Sequence, residues 1–194
     1  MHSLKSFLLL TLIALPLQGL QAQSGSKAMS GSKTMSKGPL KVGQQAYDFQ
    51  LPSMAGTSVK LSDHLKQGPV VLVFLRGYPG YQCPACSRQV ADFAASSADF
   101  KAKGATVLYV YPGGVTNLKQ RAMEFPGLPN LMKESLLLDQ NYALVNRYGV
   151  RWNAPNETAY PSTFVIDSKG TVQYAKVSKS HGGRSVPQDV LGSL

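Results

Sequence analysis

The chain has only 2 cysteines among 194 residues, and only 10 Asp plus Glu against 20 Lys plus Arg. Two cysteines cannot build a disulfide framework, so a stapled miniprotein is excluded. Its most apolar stretch near the N-terminus, residues 7–17, falls short of the ~20 residues that a membrane-spanning helix needs. Charged residues are sparse at 15%, yet hydrophobic residues reach 43%, which excludes a disordered chain and leaves material for the core of one domain. The shortage of acids produces a formal net charge of +10, which read alone points to nucleic acid or an anionic membrane.

The position of the charge removes that reading. Residues 1–41 carry Lys5, Lys27, Lys33, Lys37 and Lys41 and no acid, so half of the excess lies ahead of the folded part. The remaining 15 cations share residues 42–194 with 10 acids and form no basic run interleaved with aromatics, so no nucleic-acid partner is expected. Residues 1–22 place Lys5 before the apolar stretch 7–17 and end in Leu20, Gln21 and Ala22. This is the layout of a secretory signal peptide, with cleavage expected after Ala22 and export to a periplasm or the exterior. If the leader is retained, residues 7–17 become a membrane anchor instead. Residues 23–41 contain a near-repeat, SGSKAM then SGSKTM, whose Gly and Ser content marks a flexible linker. Met29 and Met35 are soft enough to hold copper, but a solvated spacer is the simpler account.

Residues 42–194 read as a single domain. Ala46, Phe49 and Leu51 lead into a turn at Ala55 and Gly56, and Val59 and Leu61 follow, which predicts a short N-terminal hairpin. Residues 69–75, PVVLVFL, predict a strand buried on both faces. Val90, Phe93, Ala94 and Phe100 predict a helix over 86–103 that stops at Lys103 and Gly104, and residues 105–110 predict a second buried strand. Strand, helix and strand make a βαβ unit. Further helices are expected at 115–124, 142–148 and from about Pro187, a strand at 136–138, and an antiparallel pair at 163–167 and 171–176. The class is α/β, a central mixed sheet flanked by helices.

Both cysteines lie in one motif, Cys83-Pro84-Ala85-Cys86, between the buried strand and the helix. A cysteine at a helix start meets unpaired amides and the positive end of the dipole, which favour the thiolate. Cys86 is one turn on along the same face. A disulfide between them closes a small ring, so the pair can cycle between oxidation states without refolding. A purely structural disulfide or half of a zinc site are the alternatives. Zinc requires two more ligands, and beyond His2 the chain offers only His64 and His181. Neither a metal nor another cofactor is expected. Pro161, entering the strand at 163–167, is a candidate cis-proline, with a trans proline at a strand end as the alternative.

The stretches AYDFQLPSMAGTSVKLSDHL and GPVVLVFLRG, and later YPSTFVIDSKGTVQYAKVS and GGRSVPQDVL, resemble the alkyl hydroperoxide reductase and thiol-specific antioxidant family, the peroxiredoxin-like branch of the thioredoxin superfamily. The resemblance implies a thioredoxin-like fold and places Cys83 at the family's peroxidatic cysteine. It also exposes three departures. The usual Pro, seven residues before that cysteine, is Arg76; the usual Thr, three before, is Gly80; and the usual Arg ahead of the late strand gives way to Pro161 and its neighbours. Arg76 is therefore a candidate cation beside Cys83, with a solvated arginine as the alternative. Tyr160, Pro161 and Arg184 are candidates for the substrate site, and His181 can approach it on the loop SHGGR. Arg88, Tyr81 and Trp152 read more simply as surface, rim or core.

The expected activity is that of an exported thiol oxidoreductase. Cys83 attacks a hydroperoxide or a disulfide, Cys86 resolves the product, and an external dithiol, such as a thioredoxin-like donor, reduces the pair. Two alternatives are a periplasmic thioredoxin-like thiol–disulfide oxidoreductase acting on protein disulfides, and a copper chaperone of thioredoxin fold using Cys83, Cys86 and His181.

Overall fold

The structure, a computed structural model, describes residues 38–76, 83–114, 117–124 and 133–194. The leader, nearly all of the linker, Gly80 and Tyr81 lie outside the described residues.

A two-stranded antiparallel hairpin opens the domain, β1 (Gln50–Pro52) with β2 (Ser58–Lys60), as the turn at Ala55 and Gly56 predicts. The short α1 (Leu61–Leu65) leads to β3 (Val70–Phe74). Next come α2 (Pro84–Ala95), α3 (Ser97–Ala102), β4 (Thr106–Gly113), α4 (Leu118–Met123), β5 (Leu136–Gln140), α5 (Ala143–Arg147), β6 (Ser162–Ile166), β7 (Val172–Val177) and α6 (Pro187–Leu191). The main sheet has the order β5-β4-β3-β6-β7. β3, β4 and β5 run parallel, while β6 is antiparallel to both β3 and β7. This is the thioredoxin-like arrangement, a mixed five-stranded sheet with helices around it and the hairpin added at the N-terminus.

β3 occupies the centre, and every one of its residues is buried. Its alternation sorts two cores, because successive strand side chains point to opposite faces. Val71, Val73 and Leu75 pack with Cys83, Cys86, Val90, Phe93 and Phe100. Val70, Leu72 and Phe74 pack on the other side with Tyr148, Phe164 and Val145. Leu40 is also buried in this second cluster, so the packed chain begins just before the composition changes at residue 42.

Two expectations need correction. The helix predicted over 86–103 is two helices, starting at Pro84 and breaking at Ser96, whose φ of −92° and ψ of 13° leave the helical region. Ser96 and Ser97 compete locally for backbone hydrogen bonds, which weakens a helix interior. The break still leaves Phe93 and Phe100 stacked at 5.5 Å between ring centroids, so the apolar spacing that suggested one helix is satisfied by two. Second, the bond between Tyr160 and Pro161 is trans, as are all described peptide bonds. Pro161 precedes β6 in extended chain, where no ladder donor is required of it, and a trans bond meets that need at lower energy.

Candidate functional site

The site collects at one end of the sheet. The C-terminal end of β3 pairs with the start of β6, Phe74 against Ser162, and Ser162 in turn pairs with Val177 at the end of β7. Chain leaving β3 (Leu75, Arg76), chain entering β6 (Tyr160, Pro161) and the loop after β7 (178–185) therefore converge where α2 begins.

Cys83 is the N-cap residue of α2, with extended backbone (φ −72°, ψ 111°), and Pro84 takes the first helical position, where its missing N–H costs nothing. The Cys83 carbonyl accepts from the amides of Cys86 (2.9 Å) and Ser87 (3.2 Å). Both cysteines are buried free thiols, 3.4 Å apart. Cys86 lies deeper, held by the Arg76 backbone: the Arg76 N–H donates to its sulfur at 3.3 Å, and its thiol faces the Arg76 carbonyl at 3.7 Å.

This environment splits the two thiols. Hydrogen bonding from the Cys86 thiol is the largest influence on Cys83; against the opposing effect of burial, it acts with the Cys86 and Ala85 amides and the positive Arg184 to lower the Cys83 pKa to about 5. Cys86 moves the other way, well above the ordinary thiol value, because its proton is held by Cys83 and its charged form would be buried. The two shifts run in opposite directions, favouring the thiolate on Cys83 and the thiol on Cys86.

Each predicted site residue can now be placed. Arg184 reaches Cys83, with Nη2 at 3.5 Å from the sulfur, and is braced by its Nη1 to Gln89 Oε1 (3.0 Å) and its Nε to the His181 carbonyl (3.1 Å). Arg76 is buried rather than solvated. Its Nε and Nη2 bind the Glu157 carboxylate, Nη2 at 3.1 Å from Oε1, and Nη2 also donates to the Asn156 carbonyl at 3.0 Å. Burial opposes the charge on Arg76, but the Glu157 carboxylate and the Cys83 sulfur outweigh it and raise its pKa. Tyr160 stacks on Trp152 with centroids 4.7 Å apart, and Trp152 meets the His181 ring at 5.2 Å. Arg88 is exposed on α2.

Three residues around the candidate site carry no clear signal in the sequence. Glu157 is the single acid between Asp139 and Asp167, and it accepts from both Arg76 and His181, the latter at 2.9 Å. Arg151 shapes the loop that presents it: its Nη1 donates to the carbonyls of Trp152, Glu157 (3.1 Å) and Thr158 (2.6 Å). Gln89 is a buried amide on the apolar side of α2, joining Arg184 to the Ser185 carbonyl (3.2 Å). A polar residue amid Val90 and Phe93 was the one available hint for Gln89.

Comparison with known proteins decides the lineage. The AhpC/TSA family profile matches residues 42–175. The chain belongs to the AhpC/TSA family. A putative peroxiredoxin bcp of Helicobacter pylori is 32% identical over 80% of this chain and 98% of its own length. Peroxiredoxin Bcp of Escherichia coli is 28% identical over 74% of this chain and 92% of its own. Among solved structures, the peroxidoxin BcpB of Mycobacterium tuberculosis superposes with a TM-score of 0.59 at 24% identity, covering 79% of this chain and 96% of that one. The mitochondrial 2-Cys peroxiredoxin of Plasmodium falciparum gives 0.62 at 22% identity, over 79% and 91%. As an AhpC/TSA protein with peroxiredoxin relatives, the chain is a thiol-dependent peroxidase, a class that takes hydroperoxide as substrate and a thioredoxin-like protein as reductant. Arg184, on the loop after β7, brings a guanidinium nitrogen to 3.5 Å from the Cys83 sulfur.

Proposed function

We propose that the protein is an exported peroxidase that works through a Cys83/Cys86 redox pair. The observation that carries the reading is the split pair itself, a thiolate at the cap of α2 and a thiol 3.4 Å away. The Cys83 thiolate attacks the distal oxygen of a hydroperoxide; the O–O bond breaks, and the alkoxide or hydroxide leaves and takes a proton from water. Arg184, at the sulfur, stabilises the negative charge as it passes to the leaving oxygen. Cys83 is then a sulfenic acid. The Cys86 sulfur attacks it, forming the disulfide and releasing water. A dithiol donor returns both thiols and becomes a disulfide itself. The sulfurs need only close from 3.4 Å to the ~2.05 Å of a disulfide. Export is supported by the leader layout of residues 1–22.

The test is hydroperoxide consumption by the reduced protein with a dithiol donor. Cys83→Ser is expected to abolish it. Cys86→Ser is expected to consume one equivalent and stop. Peroxide reactivity no faster than that of a free thiol at the same pH overturns the reading. N-terminal sequencing of the protein recovered from the exported fraction is expected to begin at Gln23.

The helix-cap dithiol also suits reduction of protein disulfides. The trans bond at Pro161 and the arginine on the Cys83 sulfur weigh against that use. Insulin reduction without peroxide consumption would decide for it. For a copper chaperone, His181 would have to face the sulfurs, whereas its Nε2 meets Glu157.

A further inference from the structure

We infer that Glu157 is a positioning residue that fixes two arginines around the Cys83 sulfur, one directly and one through His181. The inference rests on the peroxidase reading above and extends it to groups outside the cysteine motif.

Arg76 and Arg184 reach the site from different elements, and neither has a carboxylate on its own element to orient it. Glu157 supplies one to Arg76 directly, and through the His181 ring it holds the residue whose carbonyl receives Arg184. Two guanidinium nitrogens of Arg76 bind its carboxylate, with side-chain exposures of 5% for Arg76 and 10% for Glu157. The paired, planar geometry fixes the guanidinium plane as well as its position. His181 Nε2 meets the same carboxylate at 2.9 Å, while the His181 carbonyl receives Nε of Arg184 at 3.1 Å. The 178–184 loop is thus tied down at His181, and the tie lies three residues from the arginine that touches the sulfur. Ser178 adds a second brace by accepting at its hydroxyl from the Ser180 amide (3.4 Å) and donating to the Gly182 carbonyl. The remaining hold on Arg184 is the neutral Gln89 amide. Arg151 keeps the Glu157 backbone in place from behind.

The arrangement solves an electrostatic problem. Two cations beside one thiolate repel each other, and a long arginine on a Gly182-Gly183 loop has many rotamers to choose from. A shared carboxylate offsets the repulsion and selects the rotamers before peroxide arrives. A misplacement of about 1 Å at a reacting centre costs up to about 100-fold in rate, so the positioning is worth a measurable factor.

Two reagents separate positioning from thiolate formation. Iodoacetamide reports the nucleophile alone, since iodide departs without a developing oxyanion. Peroxide needs the cation as well, because an alkoxide or hydroxide must leave. The ratio of the two second-order rate constants is measured for the reduced wild type, for Glu157→Gln and for His181→Ala. Glu157→Gln is expected to lower the peroxide rate at least 10-fold with alkylation within about 2-fold of wild type. Loss of the carboxylate leaves the cations near Cys83 and so does not disfavour its thiolate. His181→Ala, which keeps the buried Arg76–Glu157 pair and therefore the fold, is expected to lower the peroxide rate at least 3-fold with alkylation again unchanged. An unchanged ratio in His181→Ala overturns the inference even if Glu157→Gln does not fold. Peroxide and alkylation rates that fall together overturn it too, because the residues then act on the thiolate. Failure of the peroxidase reading is separate: it shows in the wild type, as a peroxide rate no faster than that of a free thiol.

Discussion

The lowered pKa of Cys83 follows from where its neighbours put their protons. A thiol donor, two amides and a guanidinium all favour its anion, and together they exceed the cost of burying it. The rate of alkylation is therefore expected to rise through a midpoint near pH 5 and to stay level to neutrality, read from the pH dependence with iodoacetamide. Arg184→Ala is expected to move that midpoint upward, because the positive charge lowers it, and to slow the peroxide step by about 10²-fold or more, the usual cost of removing one donor to a developing oxyanion. The same lowered pKa governs stability. A group depressed in the folded state contributes stability that is complete above the ordinary thiol value of about 8.5 and is lost as pH falls through the folded value. Between pH 5 and 8 the urea midpoint of the reduced wild type is expected to rise relative to Cys83→Ser; a constant difference across that window would show that Cys83 is not a thiolate. Cys86 has the opposite sign, since its pKa is raised, but its penalty begins only above the ordinary thiol range.

At the scale of elements, most of the fold was legible because it rests on periodicity. The runs at 69–75 and 105–110 are apolar on both faces, which only a central strand tolerates, and β3 and β4 sit side by side in the sheet. The turn at Gly170, with φ of 82°, joins β6 to β7 where Ser168-Lys169-Gly170 indicated. What was not legible was local competition, as at Ser96, where spacing sufficient for one helix is served by two. Capping by distant residues was equally hidden. Asp139, at the end of β5, is fully buried, and its two oxygens accept from the amides of Leu144 (2.8 Å) and Val145 (2.9 Å) at the start of α5. Burial raises its pKa despite these bonds. Asp139→Ala leaves both amides without that acceptor, and an unsatisfied buried donor costs about 1–3 kcal/mol. The expected loss is therefore at least ~2 kcal/mol, read from the urea midpoint; a loss below ~0.5 kcal/mol would show that α5 does not depend on this cap.

Across the whole molecule, the closeness of the two cysteines was readable because they are three apart in sequence, whereas the ring of charge around them was not. The Arg76–Glu157 contact spans 81 positions and the Arg184–Cys83 contact 101. No periodicity reports such distances; only the sheet order, which brings the ends of β3 and β7 and the start of β6 together, creates them. The same topology constrains the oxidised form. Both sulfurs belong to the start of one helix, and the deeper one is held by the backbone of Arg76 at the end of the central strand. The proposed disulfide would therefore form by a movement of side chains within the first turn of α2, with the sheet and the loop after β7 left in place. One equivalent of hydroperoxide is expected to consume both thiols and yield an intramolecular disulfide, seen as monomer on a non-reducing gel. The far-UV circular dichroism is expected to match that of the reduced protein. A disulfide-linked dimer, or a loss of helix signal on oxidation, would mean that Cys86 is too deeply held to resolve Cys83 where it stands.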